Sequence, residues 1–267
     1  MKVPFVKAHG AGNDFLFTWE HDAPSADPAA LARAICSRRT GVGADGWYLM
    51  ASGAAGAEAS LRLFNSDGST AELSGNGTRC AAAVLVEAGL AGPEITVLTG
   101  AGLRRLRLVA RQQLRFLFEM DLGLPSYDPE EIRTHLSLTR GAVEVSVVDV
   151  GNPQCAVFVE EFPADWRSLA AEIERHPRFP HRTNVSIVRR VDPHTLEARF
   201  YERGAGETLS SGTGAAGAAV AAVLRGLAES PVRIETPAGH LEVRWRPGEP
   251  LRQVGPAEIV ARGEYYF

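Results

Sequence analysis

Two short stretches carry the residues best suited to chemistry. LSGNGTRC sets Ser74 before Gly75, Asn76 and Gly77, and SSGTGAAG sets Ser211 before Gly212, Thr213 and Gly214. In each, a serine and two glycines open a run of small residues, CAAAVLVEAGL in one and GAAVAAVLRGL in the other, which reads as a helix stopped by Gly followed by Leu. Such a helix start leaves backbone N–H groups free and puts the positive end of the helix dipole where a ligand can approach closely, so a carboxylate is stabilised there. A single stretch of this kind is first of all a serine N-cap with turn glycines. Two in register weigh differently: a pseudo-twofold that brings the loops together presents Ser74 and Ser211 to opposite faces of one bound molecule. That geometry is needed to take a proton from one side of a carbon and return it to the other.

The elements that must position these loops are legible as a repeat. Residues 61–90, LRLFNSDGSTAELSGNGTRCAAAVLVEAGL, align without a gap on residues 198–227, ARFYERGAGETLSSGTGAAGAAVAAVLRGL, at the constant offset of 137 that separates Ser74 from Ser211. The register persists to Thr99 and Thr236 and to Gly102 and Gly239, and Gly12-Asn13 answers to Gly151-Asn152 at an offset of 139. Each half runs from a strand (LRLF; LEARFY) through a Gly- and acid-rich loop into the small-residue helix, then into β-type alternation. Clusters of β-branched and aromatic residues predict further strands at 144–150, 155–159, 185–188 and 240–244, and helices are predicted at 28–36 and 165–174. The expected fold class is α/β (α+β) with two pseudo-symmetric domains. The first covers 1–125, with room for the C-terminal tail to return to it, and the second 126–267. The joint falls in the proline- and turn-rich GLPSYDPEEI.

Composition narrows the function classes. Over 267 residues, 45% hydrophobic content supports a substantial core, while 28 basic against 32 acidic residues give a formal charge of -4 and no basic field for a phosphate backbone. Nucleic acid is excluded as a partner. No apolar stretch approaches the roughly 18 residues of a membrane span, and the N-terminus lacks the apolar core of a signal peptide, so the expectation is a cytoplasmic protein with no membrane partner. Cys36, Cys80 and Cys155 are odd in number, widely spaced and without a CxxC pair, which argues against a disulfide framework and against a zinc site.

Eight ordered segments, HGAGNDF, RRTGVGADG, FNSDGS, ELSGNGTRC, GNPQ, FPHRTNV, ERGAGETLSSGTG and GPAEIV, resemble the diaminopimelate epimerase family from end to end. The resemblance implies two domains, each a barrel-like β-sheet around a central helix, with the site in the cleft between them, in a homodimer that needs no pyridoxal phosphate, no other cofactor and no metal. It implies interconversion of LL- and meso-diaminopimelate, a small amino-acid substrate of lysine and cell-wall synthesis, by a two-base transfer between two cysteines. Carried over by position, Ser74 and Ser211 stand at the two catalytic positions, and Gly75, Asn76, Gly212 and Thr213 offer N–H groups to the reacting carboxylate. Asn13, Asn65, Asn152, Asn184 and Arg203 hold the far amino-acid end, with Glu202 and Arg203 lining the pocket. A guanidinium matches a carboxylate, and an asparagine can both accept from an ammonium and donate to a carboxylate.

The sequence also departs from that pattern. A thiol can be driven toward the thiolate by a helix N-terminus, whereas a serine hydroxyl needs a general base in a relay. Gln154 stands where the family has a histidine, and Gly46 replaces a side chain often polar there. Cys80 lies six residues beyond Ser74, roughly 9 Å along the helix axis at about 1.5 Å per residue, and reads as core; Cys155 lies on a strand whose pattern also favours burial. Because Gln154 and Gly46 depart together with the serine pair, natural divergence accounts for them better than deliberate replacement of two bases. Three readings follow: a diaminopimelate epimerase, a catalytically silent binding homologue, or a racemase or isomerase of another substrate.

Overall fold

The computed structural model describes residues 1–53 and 56–267 and divides them into two compact units, Met1–Met120 with Gly255–Phe267, and Asp121–Val254. Unit 1 begins with β1 (Lys2–Gly10), β2 (Asn13–Trp19), α1 (Pro28–Ile35), β3 (Gly46–Ser52), β4 (Ala59–Asn65), β5 (Thr70–Ala71), α2 (Gly75–Glu87), β6 (Glu94–Thr99), β7 (Gly102–Gln112) and β8 (Arg115–Gly123). Antiparallel pairing joins β1 to β2, β3 to β4, β4 to β5, β6 to β7 and β7 to β8, and parallel pairing joins β2 to β3 and β4 to β6. The last strand of the chain, Leu251–Tyr266, pairs with β1 and with β8 and so closes the ring of unit 1. A closed ring leaves few strand edges unpaired.

Unit 2 repeats the order. It adds β9 (Thr134–Leu138) and continues with β10 (Gly141–Asp149), β11 (Pro153–Val159), α3 (Trp166–Glu174), β12 (Asn184–Asp192), β13 (Thr195–Glu202), β14 (Gly206–Thr208), α4 (Gly212–Leu224), β15 (Val232–Thr236), β16 (Gly239–Arg244) and β17 (Leu251–Tyr266). The pairing types recur in sequence: antiparallel β10 with β11, parallel β11 with β12, antiparallel β12 with β13, parallel β13 with β15, antiparallel β15 with β16 and β16 with β17. The repeat seen in the residues is therefore also a repeat of topology. The expected strands and helices are all present; α3 begins one residue late, at Trp166, and α1 stops at Ile35.

Local chemistry explains the elements. Asp27 caps α1 by accepting from Ala29 and Ala30 N–H at 3.2 Å each, with Pro28 in the first turn. Strand β6, EITVLT, alternates exposed or half-buried with buried residues, the period of a strand with one face on a core. The helices α2 and α4 differ: every residue from Gly75 to Leu85 and from Gly212 to Ala222 is buried. Helices apolar or small on all sides belong inside a core, and these pack on β1, β2 and β6 in unit 1 and on strands β10 to β13, β15 and β16 in unit 2. Both begin five residues before the alanine-rich runs, at Gly75 and Gly212. Both end alike, with Leu90 N–H on Leu85 O (2.9 Å) and Leu227 N–H on Ala222 O (2.8 Å). Gly89 and Gly226 take the left-handed φ of 73° and 70° that this terminus requires.

Space around the helices is scarce. A Cβ at Gly77 would lie 2.3 Å from Tyr48 Oη, and one at Gly217 would lie 2.6 Å from Gln154 Cβ. Tyr48 cannot yield easily, because its ring is stacked on Phe17 at 5.1 Å and edge-on to Phe15 at 5.5 Å. Gly→Ala in a helix ordinarily stabilises, by about 0.5–1 kcal/mol. At Gly77 the sign reverses: Gly77→Ala is expected to lose about 1–3 kcal/mol in urea unfolding, and Tyr48→Leu in the same chain is expected to recover part of that loss.

Candidate active site

In both units the serine is the N-cap. Ser74 Oγ accepts from Gly77 N–H at 3.2 Å and Ser211 Oγ from Gly214 N–H at 3.1 Å, each serine backbone being extended, with φ of -127° and -131°. Their carbonyls accept the first helical bonds, from Thr78 at 2.8 Å and Ala215 at 3.0 Å. The N–H groups of Gly75 and Asn76, and of Gly212 and Thr213, have no partner inside the helix, as follows from their place in the first turn. The twin loops thus share one local design. Ser74 is half-buried and Ser211 buried.

Around Ser74, unit 1 gathers Asn13 and Asn76. Asn76 Nδ2 donates to Asn13 Oδ1 at 3.4 Å, and Asn76 Oδ1 accepts from the guanidinium of Arg79, which also donates from Nε to Pro256 O at 3.3 Å. Arg79 is fully buried, and burial lowers its pKa to about 10. Asn13 Nδ2 in turn donates to Asp45 Oδ2 at 2.6 Å. Asp45 and Asp14 are bridged by Arg38, and Lys7 Nζ lies 3.0 Å from Asp14 Oδ2. The HGAGND turn is therefore held by a network of opposite charges. Asn65 ends β4 opposite Gly46, and its amide donates to Ser69 Oγ at 2.9 Å.

Unit 2 brings a second group together. Asn152 Nδ2 donates to Thr213 Oγ1 at 3.3 Å, and Gln154 Nε2 donates to Asn152 Oδ1 at 2.6 Å. Asn184, beside Gln154 in the β11–β12 register, spends its amide on the backbone: Nδ2 donates to Pro153 O at 3.1 Å and Oδ1 accepts from Arg203 N–H at 3.0 Å. Glu202 ends β13, half-buried. Arg203 is exposed, its Nη1 donating to His181 O at 3.4 Å, and sits on a tight turn outside the sheet.

The departures acquire physical reasons. A Cβ at Gly46 would lie 3.0 Å from Leu63 Cδ1 and Phe64 O and 3.2 Å from Phe15 Cδ1, so a side chain there requires its neighbours to shift. Gln154 is buried, and its Oε1 has no hydrogen-bond partner among the described residues. Cys36, Cys80 and Cys155 are all buried, and burial pushes each thiol up to about 12, so none is a ready base. Tyr48 Oη is buried beside Gly77, faces Ser74 and Thr78 without an aligned hydrogen bond, and is kept protonated by its burial. Among the described residues no group of three or more His, Cys, Asp or Glu side chains gathers at one point. Sequence reasoning missed Arg79, Tyr48 and the Asp14–Arg38–Asp45 network. An arginine inside a helix of small residues was the one signal available for Arg79.

The fold defines a class. Solved structures similar to this chain are those of a hydroxyproline epimerase from Agrobacterium vitis (TM-score 0.70, 16% identity, 98% of this chain and 92% of that one) and of a Bacillus anthracis phenazine biosynthesis protein of the PhzF family (TM-score 0.72, 15% identity, all of both chains). A methylitaconate-delta-isomerase is similar too (TM-score 0.68, 15% identity, 99% of this chain and 95% of that one). This is the two-unit fold shared with such epimerases and isomerases. Sequence narrows it further: the diaminopimelate epimerase family model matches residues 5–126 and 146–260. The diaminopimelate epimerases of Synechococcus sp. (strain JA-2-3B'a(2-13)) and Pelotomaculum thermopropionicum are 40% and 38% identical, over 98% of this chain and 98% and 99% of theirs. The chain belongs to the diaminopimelate epimerase family.

The charge network under Asn13 carries a pH dependence. Burial would raise the Asp14 carboxyl, but the hydrogen bonds and charges of Arg38 and Lys7 outweigh it and hold it below its ordinary value. A depressed carboxylate stabilises the fold fully above its unfolded pKa, about 3.9, and the contribution fades as pH falls through the folded value. Thermal unfolding between pH 7 and pH 2 is therefore expected to show an acid limb that is shallower in Asp14→Asn; equal limbs would remove Asp14 as its source.

Proposed function

We propose that this protein is a cofactor-independent amino-acid epimerase of diaminopimelate, with Ser74 and Ser211 at the positions where the family has its catalytic cysteines. The observation that carries the reading is the pair of matched N-caps: each serine sits at the start of a buried helix whose first N–H groups are free to take a carboxylate. Epimerisation at a carbon bonded to an ammonium and a carboxylate needs one proton acceptor and one donor. The two units supply one hydroxyl each for these roles. Gly75, Asn76, Gly212 and Thr213 hold the reacting carboxylate, and Asn13, Asn65, Asn152, Asn184, Glu202 and Arg203 serve the remainder of the substrate. A homodimer and a cytoplasmic location belong to this reading through family membership.

The serines set its limit. A thiol at a helix N-terminus ionises to a usable degree near neutral pH, whereas a hydroxyl does not without a base beside it. Gln154 does not titrate, and Tyr48 is held neutral. Ligand binding without efficient turnover is therefore the second reading, and the serine pair is the observation that favours it.

Both are tested by following α-proton exchange of LL- and meso-diaminopimelate with solvent deuterium. Ser74→Cys with Ser211→Cys is expected to raise exchange well above the parent chain, and either single change to give little inversion. A folded double variant that binds diaminopimelate yet exchanges no faster than the parent would make the binding protein the better reading. Calorimetry on Arg203→Ala is expected to show affinity for diaminopimelate weakened roughly 10- to 100-fold, the worth of a charge-assisted hydrogen bond. Unchanged affinity removes Arg203 from the pocket.

A further inference from the structure

Glu174 is the last residue of α3 and is almost wholly buried, with a relative exposure of 1%. Neither fact favours a carboxylate. The C-terminal end of a helix carries the negative end of the dipole, and burial removes the water that would solvate the charge. Its partners account for its presence there. Oε1 accepts from Gly204 N–H at 3.3 Å and from Arg182 Nη1 at 3.3 Å, and Oε2 accepts from Arg175 Nε at 3.2 Å. Arg182 reaches this place from a left-handed backbone, with a φ of 61°, a conformation that stores strain in a residue with a side chain.

The bond to Gly204 matters because of the residue before it. Arg203 and Gly204 form the turn that links β13 to β14, and two side chains catch their successive N–H groups: Asn184 Oδ1 takes Arg203 N–H at 3.0 Å and Glu174 Oε1 takes Gly204 N–H. In unit 1 the residues at the repeat offset are Ser66 and Asp67, and there Ser66 N–H donates to a backbone oxygen, that of Asp45, at 3.1 Å. The carboxylate anchor belongs to the half that carries the arginine.

We propose that Glu174 is a positioning residue for Arg203: it fixes the turn from below so that the guanidinium is presented in one orientation to a carboxylate of the substrate. The proposal rests on Arg203 being a substrate ligand. Two substitutions separate this role from a merely electrostatic one. Glu174→Gln keeps a side-chain oxygen in reach of Gly204 N–H but gives up the charge; Glu174→Asp keeps the charge but withdraws it by one methylene. Positioning through the hydrogen bond predicts that Gln binds diaminopimelate as the parent does while Asp binds roughly tenfold more weakly. Charge pairing with Arg175 and Arg182 alone predicts the reverse order. The Asp loss is also expected to vanish in an Arg203→Ala background, and the Gly204 amide to lose protection from hydrogen exchange in Asp and to keep it in Gln. Additive losses, the reverse order, or a Gly204 amide equally protected in both variants would overturn the proposal. An Arg203→Ala chain that binds like the parent would instead overturn the role of Arg203, while Gly204 exchange still reports on the anchor.

Discussion

The structure depends on burying a helix N-terminus. Placing α2 and α4 inside barrel-like sheets hides their backbone, and the first N–H groups of a helix have no partner within it. A serine N-cap satisfies one of them in each unit, and the N–H groups of Gly75 and Asn76, and of Gly212 and Thr213, which precede it, have no partner within the helix. Everything near these helices must then be small or shaped around them. That is why their first two turns are almost entirely glycine, alanine, threonine and asparagine, and why Arg79 is exceptional. Its buried guanidinium is accommodated by oxygens of Asn76 and Pro256.

Duplication set the two units the same problem, and divergence solved it with different residues. In unit 1 Tyr48 faces Leu63 across the β3–β4 ladder; at the same place in unit 2, Ser186 faces Phe200. The bulk has changed strand, and the two helix glycines press on different partners: Gly77 on Tyr48 and Gly214 on Phe200, the latter with Cδ1 2.7 Å from where a Cβ would be. Each pair keeps one aromatic ring against its helix glycine, although the ring has moved to the other strand. The polar supports have diverged in the same way. Asn13 leans on a surface charge network through Asp45, whereas Asn152 leans on Gln154 and Thr213.

This asymmetry bears on chemistry. The turn after β13 carries Arg203, with the carboxylate of Glu174 on its Gly204 N–H, while the matching turn of unit 1 carries Ser66 and Asp67. The two serine loops, in contrast, are alike in both halves down to the hydroxyl that accepts from the third helical N–H. Replacing a thiol by a hydroxyl leaves the cap intact and removes acid strength. A hydroxyl accepts the N–H bond as well as any cap does, so the helix start keeps its form with serine there.

Much of this was legible in the residues alone. The 137-residue offset exposed the duplication, since a repeat in one register needs no tertiary knowledge; the small-residue runs exposed the buried helices, and Gly89 and Gly226 their ends, because these signals are local. The eight ordered motifs exposed the family. Pairing was not legible: nothing in β4 or β13 announces parallel partners in β6 and β15, and the return of the last strand to β1 is a contact between the two ends of the chain. Nor were the roles of buried charges. Glu174 reads as an ordinary surface residue in sequence, and Arg79 is marked only by its small neighbours. Charge does not reveal burial, and only three-dimensional packing decides which charges lose their water and must find partners.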